Sequence, residues 1–520
     1  MNYRSFIGLL LLLFFTSNAF SQQLLGAFNF GRSYNIDDKA ESFIVAENGY
    51  LPNMLFFINK EKVHLSIWDQ DEYLGNILEA EKPERFIKTL GSVTNDDSHT
   101  LFFTTKNEDE LSSIKFNLNE GTSKSTTFPK TLPLTDQKLL STFTHQNSFY
   151  LLTLLDSSST LRILKVGDLN INQVQDIDLK TGLQSFFEEN EVVKDSLFSA
   201  LLHSTLYSNN HRFTNIESQQ VNPLLLSAQN NKLYIDGNNL LLTLDRPREQ
   251  TISIKINLYD FSHEVKYFSH PSIELGKFTT YTSNSYYHDN KLYQVIVSSK
   301  ESCLSITDFN TNELIQEYRT KKGDSITIKN SAYTNHHIRR KSKKKKGGAQ
   351  LKDHNFIEET LDGHLGISVY EAQKNIEATW GAFKFVRDNE RSSDGTAALA
   401  LSTVSAGLEL TVLAPITAGI LTPSVGVSVY INPIALITAN KNIESNYIKS
   451  LFDKQTGEYI PKFTTPNVLE RIEFYTLNWK DEVIAKTLVK QGNDYILGYY
   501  DKLKGRYFLR VFEDNPENYN

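Results

Sequence analysis

Apolar and polar positions alternate with a period of two through most of this chain, and the alternating runs come in pairs. Ile252, Ile254 and Ile256 share one face of a run whose other face is Ser253, Lys255 and Asn257. That is the signature of a half-buried strand. An aromatic-rich run, a polar turn and a second alternating run recur as a unit at 54–69, 100–118, 148–166, 239–260 and 290–309. A weaker copy occupies 364–383 and a last one 494–513. The first three start 46 and 48 residues apart, and the following step of 91 is close to twice that period.

A four-stranded β-propeller blade takes about 40–50 residues. The spacing therefore predicts an all-β fold, a β-propeller of about seven blades with inserted segments, over residues 23–514. The third and fourth strands of each blade are expected to follow its hairpin through another turn. Two places display such a turn: "LSITDFNTNELIQEY" (304–318) and "SLFDKQTGEYIPKF" (450–463) both run strand, Asp-x-x-Thr-(Asn/Gly)-Glu, strand. The Asp side chain caps the turn, and Asn or Gly tolerates the positive φ that follows. Asp308, Thr311, Asn312 and Glu313, with Asp453, Thr456, Gly457 and Glu458, resemble the blade turns of PQQ-type propellers. The resemblance implies architecture only. It lacks that family's Trp signatures and brings no cofactor residues, so no cofactor is expected. A pair of β-sandwiches is the alternative architecture, disfavoured by the regular spacing.

Three segments break the rhythm. Residues 181–228 carry Leu183, Phe186, Phe187, Val192, Leu197, Leu201 and Leu202 at helical spacing, which predicts a partly helical insertion. Residues 335–350 are a basic loop in which Arg339, Arg340, Lys341, Lys343, Lys344, Lys345 and Lys346 put seven positive charges in eight positions. Charges this dense repel one another and read as a solvated loop. The functional alternative is contact with anionic lipid or acidic polysaccharide, at about 1 kcal/mol per Lys or Arg near an anionic membrane. No aromatic residue interleaves with these lysines, which argues against a nucleic-acid partner. His336 and His337, adjacent on a strand, point to opposite faces and do not by themselves make a metal site.

The third segment, 395–440, has one charge, Glu409. Pro415, Pro423 and Pro433 interrupt it, at about 3 kcal/mol each inside a helix, so a spanning helix is not the reading. Val425, Val427 and Val429 alternate with Ser424, Gly426 and Ser428. The segment reads as a β-type hairpin inserted between blades, covered by its own core, a partner chain, lipid or further copies of itself.

Residues 1–22 read as a signal peptide. Arg4 supplies the positive start, Phe6 to Phe15 the apolar core, and Ala19-Phe20-Ser21 a small-x-small cleavage site near residue 21. The apolar core spans about 10–12 residues, short of the roughly 20 that a membrane-crossing helix needs. The expected location is the periplasm or the medium. Cys303 is the one cysteine, so an internal disulfide and a multi-cysteine zinc site are both excluded within one chain. It reads as a small buried hydrophobe. Removing the signal with its single charge takes the net charge from −7 to −8, and the chain outside the basic cluster is then near −15. That balance suits a soluble exported protein. Residues 515–520 are a polar tail.

No phosphate-binding glycine loop, zinc-protease helix, nucleophile elbow or EF-hand loop occurs in the chain. No residue is assigned a catalytic or metal-binding role, and the reading leans away from an enzyme. The function expected is an exported, non-catalytic binding or interaction protein whose partner is a protein or a glycan. One alternative is an extracellular enzyme acting on glycan. Another is an envelope-associated assembly protein using 395–440 for peripheral membrane contact or self-association.

Overall fold

A computed structural model describes residues 22–514 apart from 29–39, 46–52, 69–76, 96, 129–135, 168–169, 185–211, 219, 246–248, 276–280, 332, 338–348, 351–354, 373, 386–442, 477–478 and 480–481. The described strands form seven sheets, five of four strands and two of five, antiparallel but for one parallel pairing in the fourth. Their first strands are Glu41–Val45, Lys88–Asn95, Gln137–His145, Asn231–Asp236, Tyr281–His288, His364–Ala372 and Val483–Gln491. First strands of neighbouring blades touch, as for the first and seventh and for the fifth and sixth. Last strands such as Thr122–Thr127 are exposed. The sheets are thus blades set around a centre, each meandering outward: an all-β propeller.

The ring is shut by pairing its two ends. Gln22–Phe28 lies antiparallel to Arg506–Glu513, with Gln22 opposite Phe512 and Phe28 opposite Tyr507. The N-terminal strand is therefore the outermost strand of the seventh blade, whose other three come from the C-terminal end. The propeller starts at Gln22, one residue ahead of the expected boundary, because Gln22 already belongs to this ladder.

Six of the seven sequence repeats coincide with the second and third strands of a blade, as with Asn53–Ile58 and Lys62–Trp68 in the first. This corrects the expectation that two strands follow each hairpin: one precedes it and one follows. Middle strands are packed on both faces, so they carry the heaviest apolar pattern and dominate the repeat. The weak copy at 364–383 instead spans the first and second strands of the sixth blade. There the second and third strands, Asn375–Phe385 and Ile443–Asp453, are separated by the segment holding the apolar stretch. That stretch is therefore inserted inside a blade and not between blades.

Turn chemistry recurs more widely than the two matches in the sequence. Asn117, Asn257, Asp308, Asp453 and Asp501 each accept a backbone N–H from two or three residues ahead. The residue four ahead has positive φ in every case: Gly121, Phe261, Asn312, Gly457 and Gly505. The side chain satisfies the turn's inward N–H groups while the left-handed residue reverses the chain. At 450–463 the turn leads only to a single bridge, Phe452 to Tyr459. The outer strand of the sixth blade comes instead from Thr334–His337. Asn330 joins the two halves of this edge. Its Oδ1 accepts Leu451 N at 2.6 Å, and its Nδ2 donates to the carbonyls of Ile460 and Lys462 at 2.6 and 2.5 Å.

Blades are joined by a repeated device. The register skips Leu90, Leu140 and the pair Ala485–Lys486 in the first strands of the second, third and seventh blades. A bulge takes a carbonyl out of its own ladder. Leu90 O then accepts Thr142 Oγ1 at 2.9 Å from the third blade, and Ala485 O accepts Ser42 Oγ at 2.6 Å from the first. Farther out, aromatic pairs span the interfaces: Phe102 with Phe149 at 4.4 Å, Tyr234 with Tyr286 at 5.8 Å, Tyr318 with Phe452 at 5.4 Å and Phe57 with Tyr507 at 6.3 Å. Such pairs contribute about 0.5–1.5 kcal/mol each beyond their buried area. Cys303 is fully buried, and burial pushes its thiol up to about 12, so it packs as a small hydrophobe.

Deleting Gln22–Phe28 leaves the edge of Arg506–Glu513 unpaired. The expected outcome is a lower melting temperature and concentration-dependent self-association on size-exclusion chromatography. A monomer melting at the parent temperature would show that the ring does not depend on this strand.

Candidate functional site

The centre of the ring, where many propellers leave a channel, is occupied by the chain itself. Residues 212–228 leave the end of the third blade's connection and descend along the first strands. Phe213 N donates to the bulged carbonyl of Leu140 at 2.9 Å. Asn215 accepts Ser141 Oγ at 2.6 Å and donates to Thr142 O at 2.9 Å. Thr214–Ile216 pairs parallel to Lys232–Tyr234, adding a fifth, innermost strand to the fourth blade. The segment then turns at Asn222, whose Nδ2 reaches Tyr286 Oη at 2.9 Å and Glu217 O at 2.7 Å. Ser368 Oγ donates to Asn222 O at 2.7 Å, and Val221 N to Tyr495 Oη at 3.4 Å.

The return leg is a one-turn helix, α1 (Leu224–Ser227). Ala228 then passes so close to Gly366 that a Cβ there would lie 2.6 Å from the Ala228 Cβ. The segment meets first strands of the third, fourth, fifth and sixth blades and a second strand of the seventh. Ile216, Val221, Leu226 and Ala228 are buried in doing so. The expected partly helical insertion at 181–228 is thus, in its described part, a short strand, a turn and one helical turn. Residues 185–211 lie outside the described residues.

Charge in this centre is held in two ways. Lys232 Nζ sits 2.6 Å from Asp245 Oδ2, with neither side chain exposed. Asp245 also accepts Thr251 Oγ1 and, from the fifth blade, Ser285 N, both at 3.0 Å. Burial lowers the Lys232 ammonium against the opposing pull of Asp245. Sealed and saturated, the pair joins two blades and offers nothing to a ligand. Glu217 differs. Burial pushes its carboxyl up to about 8, and its side chain makes no hydrogen bond or ion pair among the described residues.

A second buried charge cluster fixes helix α2 (Val468–Thr476) between the sixth and seventh blades. Lys449 Nζ lies 3.3 Å from Glu377 and also contacts Glu470, which accepts Tyr447 Oη at 2.9 Å. Glu470 and Asn467 exchange backbone hydrogen bonds at the helix start, N to Oε2 at 2.7 Å and N to Oδ1 at 3.0 Å. That is a reciprocal cap. Among the described residues no group of three or more His, Cys, Asp or Glu is placed to hold a metal, and no helix is long and apolar enough to cross a membrane.

Every interaction residue expected from the sequence lies outside the described residues: Arg339, Arg340, Lys341, Lys343, Lys344, Lys345, Lys346, Val425, Val427 and Val429. Their points of attachment are described. Phe385 pairs with Ile443, and the apolar stretch joins these two ends. His337 pairs with Glu444 on the next strand out, and the basic residues run from His337 to Ala349. The basic loop therefore closes a hairpin at the outer edge of the sixth blade and does not connect blades. Adjacent strands lie about 5 Å apart, so both segments leave one end of one blade within roughly 10–15 Å of each other. The neighbouring rim is paired, with Lys384 Nζ 3.1 Å from Asp362 and 3.4 Å from Glu359. Sequence reasoning marked 181–228 as foreign to the blades but missed its path. The available signal was "FTNIESQQVNPLLLSA", short apolar islands among Asn, Gln and Ser able to satisfy backbone groups in a confined space.

Two outcomes are expected from the centre. Glu217 has its folded-state value raised from 4.5 to about 8. The stability it allows is full below 4.5 and is lost as pH rises through 8. Glu217→Gln removes this alkaline loss, so its melting temperature should exceed the parent's at pH 9 more than at pH 5.5; equal differences would refute the assignment. Replacing Asp245 by Asn strands a buried ammonium, and urea denaturation should report a loss of about 3–5 kcal/mol. Lys232→Met combined with Asp245→Leu should recover much of it.

No family model matches this chain, and no curated protein does. Among solved structures the chain is similar to the WD40 domain of SCAP from fission yeast, at 8% identity and a TM-score of 0.26, covering 95% of this chain and 91% of that one. It is also similar to the Dos1 propeller, at 8% identity and a TM-score of 0.27, covering 89% and 76%. A third is the β-propeller domain of the Trilobed protease from Pyrococcus furiosus, at 9% identity and a TM-score of 0.21, covering 56% and 77%. Scores this low add nothing to the argument. The all-β propeller rests on seven meandering sheets and the strand that closes them.

Proposed function

We propose that this is an exported, non-catalytic binding or interaction protein that works through one end of its sixth blade. The observation that carries the reading is the register of that blade, which roots the apolar and the basic segment side by side. An apolar segment rooted next to a densely cationic one suits a partner with an apolar body and an anionic rim. Lipid headgroups over acyl chains, or an acidic protein surface, have that chemistry. The filled centre supports the same reading, because the chain itself takes the position a central ligand would need.

Cell fractionation tests it, using the full protein, a deletion of 395–440 and a variant with the seven basic residues replaced by Gln. The full protein is expected in the envelope fraction, with both variants shifted to the soluble one. Purified full protein should sediment with phosphatidylglycerol vesicles and leave them as salt rises, at about 1 kcal/mol per contacting cation. If all forms are soluble, monomeric and indifferent to vesicles, the reading fails. Turnover of a polysaccharide by the purified protein would replace it with an enzymatic one.

A further inference from the structure

We propose that the turn between the second and third strands of the seventh blade, with Trp479 beside it, is a contact site for an anionic lipid surface. This rests on the lipid reading above and extends it to the neighbouring blade. Lys502-Leu503-Lys504-Gly505 joins Asp494–Asp501 to Arg506–Glu513. The corresponding turns of the first, second, third and fifth blades (59–61, 105–110, 156–159 and 299–300) are wholly polar. In the seventh, Leu503 is 76% exposed. Its position is fixed by the turn itself. Asp501 Oδ1 accepts the N–H groups of Leu503 and Lys504 at 3.0 and 3.1 Å, and Gly505 turns the chain at a φ of +62°.

Lys502, Lys504 and Arg506 flank the apolar tip, and with Asp501 they leave residues 501–506 at +2. Lys504 Nζ lies 3.4 Å from Asp501 and 5.1 Å over the Phe508 ring, an exposed pairing that holds it only weakly. Lys502 N donates to Glu482 O at 2.9 Å, which ties the turn to the entry of the first strand, Val483–Gln491. Trp479 stands on that entry, half-buried, 4.5 Å from Tyr499 and with Lys486 Nζ 5.5 Å over its ring. Phe474, on the last turn of α2 leading to it, is exposed. In the sixth blade Phe385 and Ile443 also face each other between second and third strands, so the root of the apolar stretch and this turn share one edge of adjacent blades. A single exposed Leu needs no explanation. Leu, Phe and Trp with lysines alongside have the composition of a surface seated among headgroups, where the cations reach phosphate and the apolar groups reach acyl chains. An acidic peptide would pair the lysines without drying Leu503; a bilayer does both.

The test is tryptophan emission and sedimentation of the full chain with phosphatidylglycerol vesicles. Trp68 and Trp380 are buried, so a change on adding lipid reports Trp479. The result expected is a blue shift, quenched by brominated acyl chains and absent in Trp479→Phe. Leu503→Asp, at a side chain that sits in water, should leave the melting temperature unchanged and lower vesicle partition about tenfold or more. Tyr259→Asp, in an exposed turn between third and fourth strands and so at the opposite edge, should change nothing. Sedimentation without a Trp479 shift and unaffected by Leu503→Asp overturns this site and leaves the lipid reading of the sixth blade standing. Equal loss in Tyr259→Asp overturns it as well. Polyglutamate bound as tightly as the vesicles, with Leu503→Asp silent, assigns the turn to an acidic protein surface and overturns the lipid assignment. Indifference to phosphatidylglycerol vesicles overturns the lipid reading and this proposal together.

Discussion

Six register pairs between Gln22–Phe28 and Arg506–Glu513 hold the ring shut, and everything else about the molecule follows from a ring that must close. An open row of sheets needs polar caps at both ends, because each repeat buries its faces only against its neighbours. A closed ring needs none. Ile44, Leu55 and Phe57 of the first blade can therefore be as apolar as any core residue, since Leu488, Tyr500 and Tyr507 of the seventh cover them. The bond from Ser42 Oγ to Ala485 O, with Tyr507 Oη at 2.7 Å, pins the same seam at its inner edge.

Closure also encloses a centre, and the protein runs one blade connection along the first strands that face it. The polar groups of Asn215, Asn222 and Ser368 satisfy backbone that would otherwise be buried and unpaired. Ile216, Val221 and Leu226 extend the apolar layer inward. The same accounting explains the bulges: a carbonyl lifted from its ladder at Leu90, Leu140 or Ala485 becomes the handle by which the next element is held.

The blade count and strand pattern were legible because middle strands are buried on both faces and the uninterrupted copies start 46 to 51 residues apart. The hairpins at 54–69 and 494–513 read as plainly as they fold. The placement of hairpins within blades was not legible, because first strands such as Gln137–His145 bury polar and apolar residues alike and last strands such as Thr122–Thr127 are polar. Neither has a periodic signature strong enough to find. The same applies to the edge of the sixth blade: nothing in "KNSAYTNHH" announces that Asn330 will tie residues 120 and more positions downstream. The expected interaction residues were chosen for charge density and apolar length. Those properties identify unusual segments, but only the register of Phe385 with Ile443 and His337 with Glu444 places their roots together.

The central segment enters beside Leu140, near the start of a first strand, turns at Asn222 and returns to Asn231, again at the start of one. Both described legs thus lie against the starting ends of first strands. A segment that doubles back at Asn222 leaves its two described ends on one side of that turn, so these residues do not thread the ring from one face to the other.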